Sequence, residues 1–460
     1  MTDVKTEGPQ KLSKKMLFFW PTRTVSIGVS AALTMYVTFY ATDVMRLDPI
    51  RVGLVFMISK ISDGITDIIA GYLIDRTNTK LGKARPYELA LIGFWAFIVL
   101  MFSAPQMSEF AGLVYLFVMF TVINSIFVTL LNCNEAPYLA AALPERRHNI
   151  TVSAVTGFVG MIFTVVASVI LPGMIKEAGT DGAAWTRIAL MLAIPFTIFG
   201  LIRFMTIKEV RRYDPEVVKP TMKELLYLLF NNKYIVIVSL MILLANIGTS
   251  LNVSTYYFTY IMGDLELAGP MSLAMLTIIL VLVVIPPLTK RFEMRRCLQV
   301  CIFIGIVGYL IRLIDVHNFP LLLFSGFLSS LAFASLYVFV NPLIIDCMDY
   351  GEWKHGRRSE GMIASAQSVT AKVGTAVGMG MVGLLMGMSG YRGELDVQST
   401  SAENMIIALN SVIPAVLAIT LVILFQFYDL GRMLPQIHRE LDERNNADKT
   451  SPSEEPEPMD

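Results

Sequence analysis

Twelve apolar runs, each long enough to cross a bilayer, recur along this chain, and basic residues gather in every second connection between them. A spanning helix needs roughly 20 apolar residues. Such runs fall near 24–44, 50–74, 87–104, 110–141, 152–175, 183–205, 234–262, 270–289, 297–315, 319–347, 362–389 and 404–428. Lys5, Lys11, Lys14 and Lys15 precede the first run; Arg76, Lys80, Lys83 and Arg85 follow the second; Arg146 and Arg147 follow the fourth. Further basic clusters follow the sixth, eighth and tenth, whereas the opposite connections, such as SAPQMSE and GDLELAG, are almost free of Lys and Arg. Positive charge is retained in the cytoplasm, so both termini are placed there.

The expected fold is therefore an all-α membrane protein of about 12 transmembrane helices. A chain of 460 residues that is 55% hydrophobic and 16% charged is too apolar to be a soluble protein of this size. Its formal net charge of zero and the lack of a basic run interleaved with aromatics give nucleic-acid binding no support. The start MTDVKTEGPQKLSKK lacks the apolar core and cleavage site of a signal peptide, so the first run is expected to be retained. The longest polar connection, at 206–233, separates two six-helix bundles, 1–205 and 234–429; the charged, Pro- and Ser-containing tail, 430–460, is expected to be disordered. Cys133, Cys297, Cys301 and Cys347 lie in or beside apolar runs without accompanying His and read as small hydrophobes. No transition-metal site, cofactor or enzymatic motif is expected; a monomer is.

The informative residues are the polar ones inside the membrane, where a charge at the bilayer centre costs on the order of 2.5 to 3.5 kcal/mol even on the insertion scale. On the second run, Lys60, Asp63 and Asp67 occupy i, i+3 and i+7, one stripe of a helix, with Thr66 beside them. Lys60 serves as counter-charge to one carboxylate. Carboxylate and hydroxyl oxygens suit a hard cation such as Na+, and a desolvated Asp could equally take up a proton. An ion-paired cluster holding helices together is the bland alternative. On the fourth run Asn124, Asn132, Asn134 and Glu135 interrupt an apolar segment, and Pro137 frees a carbonyl. Glu135 is open to three readings: cation ligand, acceptor for a sugar hydroxyl, or helix-end marker.

In the second half, Asp346, Asp349 and Glu352 precede Lys354, Arg357 and Arg358 at the cytoplasmic end of the tenth run. With Asp75 and Arg76 they are candidates for a cytoplasmic gate, against solvated loop charge. Gln367 and Lys372 lie within an apolar helix followed by GTAVGMGMVG, whose small residues permit close helix approach. Lys372 is expected to link to a carboxylate of the other half or to substrate, with snorkelling as the alternative.

The runs TFYATDVMRLDPIRVG, SDGITDIIAGYLIDRTNTKLGKARPY and DYGEWKHGRRSEG together resemble the glycoside–pentoside–hexuronide cation symporters of the major facilitator superfamily. The resemblance spans nearly the whole transmembrane region. It implies two six-helix bundles and transport of a sugar with Na+, H+ or Li+ by alternating access. By position it implies a cation site at Asp63, Thr66, Asp67 and Asn132, a sugar contact at Glu135, and a lysine tied to both sites at Lys372. Lys60 stands where the family's galactoside carriers have an arginine. Those carriers have a sugar-binding aspartate on the first helix, where this chain has Ile27, and aromatics where it has Leu139 and Tyr337. The candidate substrate contacts that remain are Tyr36, Tyr40, Glu135, Tyr337, Gln367 and Lys372, with helix packing as the alternative for the aromatics.

The expected function is symport of a sugar, glycoside or uronide with Na+ or H+ across a bacterial inner membrane. A carrier of lysolipids or other amphiphiles on the same fold is the rival within transport. A non-transporting membrane sensor is the rival outside it.

Overall fold

The computed structural model describes residues 13–143 apart from 78, 80 and 83, then 146–209, 232–355 apart from 290, and 360–450 apart from 396. The chain is helical throughout, and no strand forms among the described residues. α1 spans Lys14–Thr34, bends by 40° and resumes as Val37–Val44. α2 is Pro49–Arg76, α3 Ala90–Met101 after a 3-10 turn over Arg85–Leu89, and α4 Glu109–Leu139. α5 is Arg146–Ala178 and α6 Gly182–Thr206. α7 is Lys233–Ile261, α8 Thr277–Thr289 after short turns from Leu265, and α9 Met294–Ile311. α10 is Phe319–His355, α11 Glu360–Met388 and α12 Thr400–Gln426. Each expected span thus coincides with a helix. Most of the linker expected at 206–233 lies outside the described residues.

Local chemistry sets these boundaries. Asp48 caps α2, accepting from the Arg51 amide at 3.0 Å, with Pro49 in the first turn, where its missing N–H is not needed. Ser108, Asp181, Asn232 and Ser399 cap α4, α6, α7 and α12 in the same way. Single π-helical turns occur at Tyr40–Val44, Val122–Val128, Tyr257–Ile261 and Ala408–Val412. Each inserts a residue into a helix and rotates the turns beyond it.

Three apolar cores result. One joins both bundles at the extracytoplasmic end, where Tyr40, Phe102 and Trp185 share a cluster with Tyr256, Leu265, Tyr391 and Ile406. The other two belong to single bundles at the cytoplasmic end: Trp20, Tyr138, Val152 and Ile207 in the first, and Tyr234, Leu298, Phe339 and Phe425 in the second. Among the described residues, the core shared by the bundles thus lies at the extracytoplasmic end. Exposed Ile198, Phe303 and Ile423 face the lipid.

The small residues of α11 bring two neighbours close. A Cβ on Gly374 or Gly378 would lie 2.6 or 2.7 Å from the Leu243 or Ile247 carbonyl of α7. On the other face, a Cβ on Gly383 would lie 2.4 Å from the Pro49 carbonyl and 2.5 Å from Gly53 Cα of α2. Those neighbours are backbone and cannot swing aside. Gly383→Val is expected to destabilise the protein by about 1–3 kcal/mol, read as a lower melting temperature in detergent.

The tail differs from expectation. Residues 434–450 form a helix, α13 (Leu434–Thr450). Leu434, Ile437 and Leu441, at i, i+3 and i+7, form an apolar stripe that joins the second bundle's core, and Trp353 Nε1 donates to Glu440 at 2.6 Å.

Candidate functional site

α2 and α4 run side by side in the same direction and meet along a ladder of polar rungs. Thr121 donates to the Ser59 hydroxyl at 2.9 Å, Ser125 donates to Asp63 Oδ1, and Thr129 donates to Asp67 Oδ1 at 3.0 Å. Both helices place these groups four residues apart, one above the next on a single face. Sequence reasoning passes over Ser125 and Thr129 in favour of the more polar Asn132 and Glu135. The available signal is the shared four-residue spacing, 59/63/67 against 121/125/129.

Each aspartate also has its own ammonium group. Lys60 Nζ lies 3.1 Å from Asp63 Oδ2, donates to Asn124 Oδ1 at 2.6 Å and sits 5.3 Å from the centre of the Phe120 ring. Lys372 comes from α11 in the opposite bundle, pairs with Asp67 Oδ2 and donates to the Asp63 carbonyl at 2.9 Å. All four carboxylate oxygens carry a donor. The two pairs differ in access: the Asp63 side chain is 7% exposed and that of Asp67 31%. Two ammonium groups balance two carboxylates, which offsets the like-charge repulsion between aspartates four residues apart.

The remaining predicted cation residues are placed elsewhere. Thr66 turns its hydroxyl back to the Asp63 carbonyl at 3.1 Å, and Asn132 is exposed. Glu135 is six residues beyond Thr129, so it points away from the ladder face. It accepts instead from Trp20 Nε1 at 2.9 Å, from Arg203 Nη1 at 2.8 Å and from Arg23. Arg23 also meets Glu88 at 3.0 Å, Asn134 donates to Glu88 at 3.0 Å, and the Arg203 guanidinium stacks 3.6 Å from the Trp20 ring centre. Two arginines and two glutamates thus form a neutral knot at the cytoplasmic end of the first bundle, drawn from α1, α4, α6 and the turn before α3. Only Glu135 opens part of its side chain, 33% of it.

Of the candidate substrate contacts, Tyr36 and Tyr40 are buried in the shared core. Tyr40 packs 5.1 Å from Phe102 and 5.2 Å from Trp185 between ring centres, so its ring serves packing there. Gln367 lines a cavity of about 250 Å³ with Asn246, Leu336, Val340, Ser368 and Ala371, between α7, α10 and α11. Ser368 is one turn before Lys372 on the same face, so the lysine stands beside this cavity. The side chain of Tyr337 lies outside the described residues.

Two of the gate candidates have partners within the second bundle. Asp346 accepts from Tyr428 at 3.4 Å and Asp349 meets His438 of α13 at 3.0 Å, both within the second bundle. Arg76 ends α2. Glu352 is half-buried beside Trp353. Arg357 and the side chain of Asp75 lie outside the described residues. At the opposite, extracytoplasmic rim, the Lys176 hydrogen bond holds the Asp264 carboxyl below its ordinary range.

A family model described as MFS/sugar transport protein matches residues 25–432. The chain is 28% identical over 426 residues to an isoprimeverose transporter of Lactiplantibacillus pentosus, covering 90% of this chain and 88% of that one. It is 24% identical over 406 residues to a putative glycoside/cation symporter, YagG, of Escherichia coli K12, covering 86% and 88%. A solved bacterial homologue of the human lysosomal transporter Spinster, inward-facing and unoccupied, superposes with a TM-score of 0.68 at 11% identity, covering 94% of this chain and 99% of that one.

Proposed function

Because this chain belongs to the MFS/sugar transport family, among its glycoside–pentoside–hexuronide symporters, we propose that it carries a sugar or glycoside together with Na+ or H+ by alternating access. The observation that supports this most directly is the pairing of Asp67 with a lysine from the opposite bundle. Lys372 acts as a tethered cation. A mobile cation reaching Asp67 competes with it for the same oxygen, and the Thr129 and Ser125 hydroxyls, which can accept as well as donate, turn their oxygens to the incoming ion. The displaced ammonium is then free to donate to a hydroxyl of a sugar in the neighbouring cavity, with Gln367 and Asn246 as further polar contacts. Asp63, deeper and paired to Lys60 of its own helix, stays as the fixed negative wall. Cation and sugar thereby favour each other's binding by the same factor, as linkage demands.

A melting-temperature screen of sugars, glycosides and uronides with the purified protein, with and without Na+ across pH, tests this. A ligand at about 100 times its Kd stabilises the folded state by about 2.7 kcal/mol. The expected result is a sugar whose stabilisation grows when Na+ is added or pH is lowered. Stabilisation by lysolipids alone, with none from any sugar, overturns the reading.

A further inference from the structure

The extracytoplasmic closure is built around one carboxylate that the cation site does not use. Asp43 is 2% exposed, in the π-helical turn ending α1. No Lys or Arg pairs with it among the described residues, and its charge is met by hydroxyls. Thr42 Oγ1 donates to Oδ2 at 2.5 Å; Tyr391 OH lies 2.8 and 2.9 Å from the two oxygens; Tyr260 OH donates to Oδ1. A fourth hydroxyl, of Tyr256, meets Thr42 Oγ1 at 2.9 Å. All three tyrosines belong to the second bundle, Tyr256 and Tyr260 to α7 and Tyr391 to the segment after α11. Their rings pack edge to face, with Tyr391 between Tyr256 at 5.3 Å and Tyr260 at 5.6 Å. A Cβ on Gly393 would lie 2.3 Å from the Thr42 carbonyl, so the chain after Tyr391 rests directly on the end of α1. On the same rim Lys176 of α5 reaches across to Asp264 at 2.8 Å and Glu266 at 3.0 Å.

We propose that Asp43 is a positioning residue of the transport cycle: the shared acceptor through which Tyr260 and Tyr391 hold the extracytoplasmic path shut, and from which both must part when that path opens. This rests on the alternating-access reading above. Hydrogen bonds to an ionised acceptor are about twice as strong as neutral ones. A buried carboxylate without a counter-ion cannot lose its donors until water replaces them. Closure is thus all-or-none: the tyrosines leave together as water enters, or the path stays sealed. Two helix ends carry π-helical turns at corresponding places in the two bundles, Tyr40–Val44 and Tyr257–Ile261, and each holds one member of the lock, Asp43 and Tyr260.

The test uses accessibility. In a full-length protein whose four native cysteines are replaced by Ser, Asn252→Cys puts a thiol four residues on the cytoplasmic side of Tyr256, in the non-helical break at 251–253 within α7. Membrane-impermeant maleimide is then added outside right-side-out vesicles. The expected result is slow labelling in the parent, and roughly tenfold faster labelling from outside with Asp43→Asn or Tyr391→Phe. Labelling from the cytoplasmic side of inverted vesicles should not rise. Should Asp43→Asn fold poorly, Tyr391→Phe and Tyr260→Phe remove one hydroxyl each and carry the same expectation. Unchanged labelling in these variants, or an equal rise from both sides, overturns the lock. Labelling needs neither sugar nor cation, so a lock without transport and transport without a lock give different results.

Discussion

Asp67→Asn is expected to lower accumulation of sugar against its gradient by roughly a hundredfold while leaving exchange of sugar down its gradient measurable. The amide cannot hold a cation as the carboxylate does, and it gives Lys372 a neutral partner in place of an ionised one, a loss of about 1.5–3 kcal/mol per charged hydrogen bond. Cation and ammonium then no longer compete, and the two fluxes uncouple. Uphill uptake and counterflow in the same proteoliposomes separate the effects; uphill uptake with unchanged cation dependence would sink the tethered-cation mechanism. Lys372→Met is the complementary arm. It removes the competitor, so cation affinity should rise while sugar ceases to enhance it. Asp63→Asn is a poorer probe, because it strands Lys60, 16% exposed, without its carboxylate inside the membrane.

Arg203→Ala is expected to cost the fold about 3–5 kcal/mol, the penalty for removing one partner from a buried charge network. Arg203 is fully buried, and its loss leaves Glu88, 1% exposed, and Glu135 with Arg23 alone to balance two carboxylates. A steep fall in melting temperature, or no recoverable folded protein, is the expected outcome. Arg203→Lys should recover little, since the stacking on Trp20 and Tyr138 needs a planar guanidinium. Arg203→Met combined with Glu88→Gln, which removes the charges in pairs, should recover more than either change alone. A melting temperature unchanged in Arg203→Ala would show that the knot contributes nothing to the first bundle.

The helical spans were legible, because each follows from an apolar run within a single segment. So was the stripe of Lys60, Asp63 and Asp67, since three residues on one helix share a face by arithmetic alone. The partners opposite a stripe are a matter between helices. Asn132 and Glu135 carry the stronger polarity on α4, yet Ser125 and Thr129 are the residues that meet the aspartates. Arg23, Glu88 and Arg203 lie far apart in the sequence, and only folding places them within one knot. The tail looked too polar to pack, but three apolar residues at helical spacing were enough to dock it. Asp43 gave no warning, because its partners in the second bundle lie more than 200 residues away.

The seam between α2 and α4 has a constant offset: every rung joins residues 62 apart. A vernier with identical graduations on both scales can slip one mark and still engage, here by about 6 Å, one step of four residues. Lys60 and Asn124 break that degeneracy, since they bond at an offset of 64 and fit only one setting. The two helices are thus pinned as a single ruler, and in the proposed cycle the wall they form keeps its shape. Under the proposed mechanism, release of the cation is then commanded from across the gap, by the arrival or departure of Lys372, so that the fixed wall and the release trigger sit on opposite halves of the molecule.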